Sequence, residues 1–208
     1  MKKVFSLFIM LYYYFSGHLM AHEFHITPEQ SSSINETIQK MKKGDKLIFA
    51  SGTYQLKKPI GIQRKSFLEF YAEKDVYIIL NENAIIFYIY NSDNLTFKGF
   101  HAKHVMPYYS KHCTSGVMDI LYSHDIFMDH IEFNGSGIVG VQIRDSGSIT
   151  IQSSYLHHNT ISAIEIKGDV DNILIQNNTI ENNPEFIKST ISLDKLKDQL
   201  IIKNNIIR

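Results

Sequence analysis

The most informative part of the sequence is VQIRDSGSITIQSSYL, residues 141–156. Val141 and Ile143 alternate with polar residues, and eight residues later Ile149 and Ile151 repeat the alternation. Such alternation is typical of short β-strands with one buried face. The stretch therefore predicts two short strands joined by a turn rich in serine and glycine.

This pattern returns along the chain. Its core is an apolar-x-apolar triplet followed five residues later by another apolar or small residue. Five copies occur, at Leu95/Phe97/Ala102, Ile126/Met128/Phe133, Ile149/Ile151/Leu156, Ile173/Ile175/Ile180 and Leu200/Ile202/Ile207. Successive copies begin 31, 23, 24 and 27 residues apart. Periods in the twenties predict a solenoid, in which each coil stacks on the one before it.

Each of the last four copies also has an alternating pair upstream. The pairs are Met118/Ile120, Val141/Ile143, Ile164/Ile166 and Ile191/Leu193, eight or nine residues before the triplet. A repeat of this length with two or three short strands and no helix predicts an all-β fold, a single-stranded parallel β-helix.

Residues at equivalent positions of stacked coils form columns along the solenoid axis. One inward column is predicted at Met128, Ile151, Ile175 and Ile202. The bend that follows carries asparagine pairs, for example Asn177 with Asn178. We expect these amides to hydrogen-bond along the axis and to satisfy backbone groups that water cannot reach.

A short helix is predicted before the repeats. Residues 33–36 have the form of a capping box, and Ile34, Ile38 and Met41 share one face before Gly44. We therefore expect an amphipathic helix at residues 34–43 that caps the solenoid and covers its apolar edge. No second stretch has a convincing helical period.

The N-terminus has the form of a secretory signal. Lys2 and Lys3 precede an apolar run at residues 4–15, and the weaker stretch after it ends at Ala21. The sequence predicts a signal peptide at residues 1–21 and one β-helix domain at residues 22–208, secreted or periplasmic. A membrane anchor is the alternative, but the run is shorter than the ~20 residues that span a bilayer.

Composition excludes several classes of protein. The chain has 208 residues, and 21 basic residues balance 21 acidic ones, which gives no reason to expect a nucleic-acid partner. Cys113 is the single cysteine, so an intramolecular disulfide framework and CxxC motifs are ruled out. Stability must come from packing.

The chain resembles the right-handed parallel β-helix proteins of the pectin-lyase-like superfamily. The resemblance begins in residues 33–54, a short helix followed by strand and turn, and continues through the repeats to residue 208. It implies a right-handed solenoid. It does not imply one function, because the superfamily includes polysaccharide lyases, glycoside hydrolases, epimerases, phage adhesins and inert surface proteins.

One motif resembles a calcium site. The run DIFMDH, residues 125–130, is similar to the Asn-Ile-Trp-Ile-Asp-His run of pectate lyases, which implies a metal-binding role for Asp129. The next coil has Gln142 where that family has an acid, and Ile161 lies near the expected basic position. Calcium needs six to eight oxygens, so the alternative is a turn residue in a column with Lys98, Gln152, Gln176 and Lys203. No cofactor is otherwise expected.

A second candidate site follows from the alternation itself. Between the inward pairs, outward residues form the columns Asp119, Gln142, Glu165, Ser192 and Leu121, Arg144, Lys167, Asp194. Asp119 and Glu165 are two coils, or ~10 Å, apart. The hypothesis is a sugar site with Asp119, Glu165, Arg144 and Lys167 as catalytic residues and Gln142 and Asp194 as substrate-binding residues. The alternative is a set of ordinary solubility residues.

Histidines cluster in the coil that carries the longest insertion. His101, His104, His112 and Cys113 lie within 13 residues, although their spacing is not a recognised zinc signature. The alternative is a histidine-rich loop packed with Tyr108 and Tyr109.

Two functions of different class remain open. The first is a secreted lyase or glycoside hydrolase acting on acidic polysaccharide, and the second is a non-catalytic module that binds a glycan or a protein. The final coil predicts a further partner, since its apolar Leu200 and Ile202 would be bare without a cap. End-to-end pairing of two copies, a longer natural chain, or a local cap formed by residues 195–199 would each cover them.

Overall fold

The computed structural model describes residues 21–80, 82, 84–104, 116–135 and 138–208, except for the side chains of Leu193 and Asp194. The predicted signal segment, residues 1–20, lies outside this part. In the described part, no helix is long and apolar enough to cross a membrane. The chain forms a parallel β-solenoid of about seven turns, which confirms the predicted fold class.

Three parallel sheets of eight, seven and six strands run along the solenoid, and each complete coil contributes one strand to each. Sheet A consists of Glu23–Ile26, Lys46–Phe49, Ser66–Ala72, Asp93–Lys98, His124–Asp129, Gly147–Gln152, Asp171–Gln176 and Leu200–Lys203. Sheet B consists of Gly52–Leu56, Val76–Leu80, His101–His104, Glu132–Asn134, Tyr155–His157, Thr179–Glu181 and Ile206–Ile207. Sheet C consists of Ile60–Gln63, Phe87–Tyr90, Met118–Leu121, Val139–Arg144, Ser162–Lys167 and Glu185–Ser189.

The core lies inside the solenoid and is built from alternate strand residues. Met128, Ile151, Ile175 and Ile202 are neighbours in register, as the repeat predicted. The first three are fully buried, whereas Ile202 in the last coil is 45% exposed. Earlier coils use aromatic side chains, and the Phe70 and Phe97 rings stack with their centroids 4.9 Å apart.

The bend between sheets A and B explains the asparagines. Gly99, His130, Ser153, Asn177 and Asn204 all adopt positive φ, between 49° and 84°. Asparagine and glycine tolerate this conformation best. In the next column, the Ser154 amide donates to Asn178 Oδ1 at 2.9 Å, and the Asn178 amide donates to Asn205 Oδ1 at 2.9 Å. The predicted amide ladder is therefore present.

The N-terminal helix differs in its bounds from the prediction. A 3-10 helix at Pro28–Ser33 precedes the α-helix Ile34–Lys40 (α1). The Ser33 hydroxyl donates to the Gln30 carbonyl and does not accept from a helix N–H, so the predicted capping box does not form. The helix ends early because Met41 is extended and Lys65 Nζ donates to the Gln39 and Met41 carbonyls. Ile34, Ile38 and Met41 are buried in the core, as predicted.

The last coil corrects a second prediction. The sheet C strand is Glu185–Ser189, with Ile187 beside Ile164, and not the Ile191/Leu193 pair. Residues Leu193–Lys197 form a helix (α2), although none was expected there. Leu193 and Leu196 have helical spacing, and the 27-residue period leaves room for one extra turn. Counting alternation alone missed this turn.

Candidate functional site

Sheet C carries most of the residues predicted for a sugar site. On its outer face Asp119 lies beside Gln142 and Gln142 beside Glu165, and Arg144 lies beside Lys167 in the adjoining column. The strand alternation that buries Val141, Ile143, Ile164 and Ile166 turns these polar side chains outward. The structure therefore brings five of the six predicted residues together.

The sixth residue, Asp194, is not part of this face. It belongs to helix α2 in the connection after the strand. The position expected for Ser192 is occupied by Lys188, which is the register neighbour of Glu165 in the adjacent strand. The cause is the shifted register of the last coil. The predicted substrate-binding role of Asp194 loses its geometric basis.

The carboxylates on this face are held by cations. Arg144 donates to both oxygens of Asp119, with Nη2 at 2.5 Å and Nε at 3.3 Å, and the Asp119 side chain is 3% exposed. Lys167 Nζ lies 2.8 Å from Glu165 Oε2, and the Gln142 amide donates to the same carboxylate. Buried charges require such partners, since an unpaired one costs several kcal/mol. The pairing fixes the geometry of the face.

Two tyrosines extend the same face toward the N-terminus. Tyr88 is the register neighbour of Asp119, and Tyr90 is the neighbour of Leu121. Their rings are nearly parallel, with centroids 6.1 Å apart, and the Tyr122 ring meets Tyr90 edge-on. Burial, and then the negative charge of Asp119, raises the pKa of Tyr88, which keeps its phenol neutral. We call Tyr88, Tyr90, Asp119, Gln142, Arg144, Glu165, Lys167 and Lys188 the sheet C strip.

Tyr88 and Tyr90 are outward-facing residues that the predicted sugar site did not include. They alternate with Phe87 and Ile89, which are buried, so the tyrosines face outward. The alternation was readable from the sequence, since FYIY has period two. Tyr88 also lines a cavity of about 580 Å³ together with Gly61 and Gln63 and with residues of α1. The strip therefore continues into a concave region.

Asp129 does not have the surroundings of a calcium ligand. Its carboxylate is 3.2 Å from Lys98 Nζ and 2.7 Å from His130 Nδ1, and Gln152 Nε2 donates to it at 3.4 Å. Burial alone would raise the pKa of Asp129, but these donors outweigh burial and hold the pKa below its usual value. Calcium needs oxygen ligands, and here the neighbours are nitrogen donors. The column with Lys98, Gln152, Gln176 and Lys203 is present, as the alternative predicted.

The two described histidines of the insertion coil, His101 and His104, do not converge. His101 faces outward from its strand, whereas His104 is buried, and its Nε2 lies 2.7 Å from the Ala84 carbonyl oxygen. Burial lowers the pKa of His104, so its imidazole is neutral. His112 and Cys113 lie outside the described residues. Within the described ranges, no group of three or more His, Cys, Asp or Glu side chains could hold a metal ion.

The comparisons with known proteins agree with this architecture. Residues 115–208 match the family model described as the right-handed beta helix region. No curated protein matches the chain by sequence. The solenoid and this match define the class, a right-handed parallel β-helix. The chain therefore has the right-handed parallel β-helix fold that the resemblance implied.

Two solved structures share the fold. One is a proposed glycosyl hydrolase from Parabacteroides merdae, with a TM-score of 0.67 and 13% identity over 88% of this chain and 97% of that chain. The other is a mannuronic acid specific polysaccharide family 6 lyase from human gut microbiota, with a TM-score of 0.51 and 12% identity over 81% of this chain. This chain covers 52% of that lyase. At such identities the likeness concerns the fold alone.

Proposed function

We propose that this protein is a secreted or periplasmic β-helix protein that binds an acidic polysaccharide along the sheet C strip. The observation that carries the proposal is the ladder itself, in which two outward tyrosines continue in register into fixed charged and amide side chains. Tyrosine faces stack on sugar rings, and amides and ion pairs donate to hydroxyls and carboxylates. The carbohydrate-active neighbours support this role.

The balance of charge favours an acidic glycan. The strip contains the cations Arg144, Lys167 and Lys188 against the anions Asp119 and Glu165. The charge of Arg144 is neutralised by Asp119. This leaves the two lysines, Lys167 and Lys188, beside the single carboxylate of Glu165. A glycan that carries carboxylates therefore meets a net positive surface, and the attraction weakens as salt rises.

Binding fits the geometry better than cleavage does. A general acid or base must exchange a proton with substrate, so its carboxyl group needs access and a tuned pKa. Asp119 is buried, and both of its oxygens accept hydrogen bonds from Arg144. Glu165 is buried as well and accepts from Lys167 and Gln142. A polysaccharide lyase or glycoside hydrolase is the second hypothesis, which rests on the carboxylate spacing alone.

The binding experiment is a calorimetric titration of the purified protein with oligomannuronate and oligogalacturonate. We expect Lys188→Gln and Tyr88→Ala each to weaken binding by up to about tenfold at low salt, because each removes one contact. Lys203→Gln, an exposed lysine on sheet A, is the matched control. Wild-type affinity in both strip variants would contradict the proposal.

The same samples separate binding from cleavage. Incubation with either glycan, followed by assays for reducing ends and for unsaturated uronate, detects hydrolysis and elimination respectively. New ends or unsaturated product would replace the binding proposal with the enzymatic one. Export is tested separately, since sequencing the N-terminus of the protein secreted by a bacterial host should give His22 as the first residue.

A further inference from the structure

The outer face of sheet B carries a second ordered column that the sugar-site hypothesis did not use. Tyr77 lies beside His101, His101 beside Glu132, and Glu132 beside Tyr155. The adjoining column places His157 beside Glu181. We call these six residues the sheet B strip, and they come from five successive coils.

Glu132 is the fixed centre of this strip. Its carboxylate oxygens lie 2.7 Å from His101 Nδ1 and 3.2 Å from His157 Nε2. Hydrogen bonds from His157 and His101 lower the pKa of Glu132 to about 2, against the opposing effect of burial. An ionised carboxylate only accepts, so both imidazoles donate to it through these nitrogens. In neutral His101 the other nitrogen, Nε2, is left as a hydrogen-bond acceptor.

The second imidazole is fixed in the same way. His157 donates to Glu132 through Nε2, and its Nδ1 lies 2.7 Å from His158 Nδ1. Neutral His157 must therefore accept at Nδ1 from the His158 N–H. The side chain of His157 is 8% exposed, so the ring is a buried support and His158 is the exposed end of the chain of hydrogen bonds.

Two aromatic pairs flank the carboxylate. The Tyr77 ring stacks on His101 with a centroid distance of 4.9 Å, and the Tyr155 ring stacks on His157 at 3.8 Å. The Tyr155 hydroxyl donates to Glu181, which together with burial raises the pKa of Tyr155 to about 12. Tyr77 is 39% exposed and offers a ring surface to solvent. Rings held this firmly lose little entropy when a ligand binds.

The strip borders a cleft whose charge selects its ligand. His101, Glu132 and Tyr155 line a cleft of about 450 Å³ together with Glu73, Lys74, Asp75 and His130. At neutral pH three carboxylates face one lysine, so the cleft repels acidic glycans. It offers ring faces, imidazole nitrogens and carboxylate oxygens, which suit the hydroxyl groups and apolar faces of an uncharged sugar.

We propose that the sheet B strip is a second glycan-binding site, which takes a neutral, hydroxyl-rich sugar ring stacked on Tyr77 beside His101. The inference rests on the proposed carbohydrate-directed role but uses a different face and a different class of sugar. One molecule then holds an acidic chain on sheet C and a neutral chain on sheet B. Where these two chains are linked to each other, the second contact is intramolecular and overall avidity increases.

The test is a titration of the wild-type protein with neutral hexasaccharides of glucose, mannose and galactose, followed by calorimetry and by chemical shifts of labelled protein. We expect at least one of the three to bind in the micromolar to millimolar range. Tyr77→Ala should weaken this binding by about tenfold, since one stacked ring is removed. Phe67→Ala, an equally exposed aromatic on sheet A, is the matched control and should bind as the wild type does.

A second variant and the outcomes of the titrations complete the test. His101→Gln removes the ring on which Tyr77 stacks, and the His101 side chain is half-exposed. The variant should therefore bind the neutral sugar more weakly and bind oligomannuronate as the wild type does. No binding of any neutral hexasaccharide, or equal binding by Tyr77→Ala and wild type, overturns this inference. If acidic glycans still bind through sheet C, the proposed function stands; if neither class binds, both fail.

Discussion

The sheet B and sheet C strips use the same backbone ladder to hold carboxylates in two different ways. On sheet C, Asp119 and Glu165 meet Arg144 and Lys167, whose charges are permanent at physiological pH. On sheet B, Glu132 meets two imidazoles, each of which donates one hydrogen bond to it. The difference teaches that the fold sets the spacing, while the residue in each column sets charge and ligand class.

The largest effect should come from damage to the core that both strips share. Ile151 is fully buried between Met128 and Ile175, so Ile151→Asp should cost about 4 kcal/mol or more of unfolding free energy, because its charge has no partner. Thr150→Asp places the same charge on the outer side of the same strand and should cost under ~1 kcal/mol. Equal losses in urea titrations would show that the register is wrong.

The next effect separates the two kinds of pair. Arg144→Met leaves Asp119 buried without its cation and should lower the free energy of unfolding by about 3 kcal/mol. Adding Asp119→Asn should restore most of this stability. His101→Gln leaves Glu132 with His157 on a carboxylate that is 31% exposed, so it should cost about 1 kcal/mol. If the double variant is no more stable than Arg144→Met, the loss of the Asp119–Arg144 pair is not the cause of the destabilisation.

Acid should act on sheet B through Glu132. Because the folded pKa of about 2 lies below the ordinary 4.5, the contribution of Glu132 is complete above about pH 4.5 and is lost as pH falls toward 2. At pH 7 the free energy of unfolding of the wild type should exceed that of Glu132→Gln by about 1–2 kcal/mol, after allowance for solvent screening. This difference should vanish near pH 2. A difference that does not change with pH would contradict this pairing.

Much of this architecture was predictable because inward residues carry a clear signal. The apolar-x-apolar triplets located Met128, Ile151 and Ile175, and the alternating pairs upstream of them located the outward Asp119 and Glu165. The Asn178 and Asn205 ladder followed from the same alignment. Each of these inferences needed only the period of two along a strand and the period of the coil.

The missed features have weaker local signals. Strand Glu185–Ser189 contains no fully buried residue, and its Ile187 beside Ile164 is only half-buried, so the Ile191/Leu193 alternation was mistaken for it. On sheet B the strands are short, and Ala102, Phe133 and Leu156 mark the inward column. The residues directly before these markers, His101, Glu132 and Tyr155, were therefore readable as neighbours. Their hydrogen bonds depend on rotamers, which spacing does not encode.

End-to-end association of the final coil would leave both strips exposed and double the number of glycan sites per particle. The outermost isoleucines, Ile201, Ile202, Ile206 and Ile207, are 45–60% exposed. We predict that sedimentation velocity shows mass rising with concentration and that Ile206→Lys abolishes the rise, since it places a charge in the apolar contact. A monomer at every concentration would refute the pairing.

The smallest and most discriminating change is Glu165→Gln. Glutamine keeps the shape and can still accept from Gln142, and Lys167 is exposed enough to be hydrated, so the cost in stability should stay within about 1 kcal/mol. If the strip binds an acidic glycan, removing one negative charge should raise the affinity for oligomannuronate a few-fold, and more so at low salt. If Glu165 is instead a catalytic acid or base, glycan cleavage by the wild type should be lost in the variant. The sign of the change in affinity therefore distinguishes a binding face from an active site, and sheet B, whose carboxylates lie on another face, should bind neutral sugar unchanged.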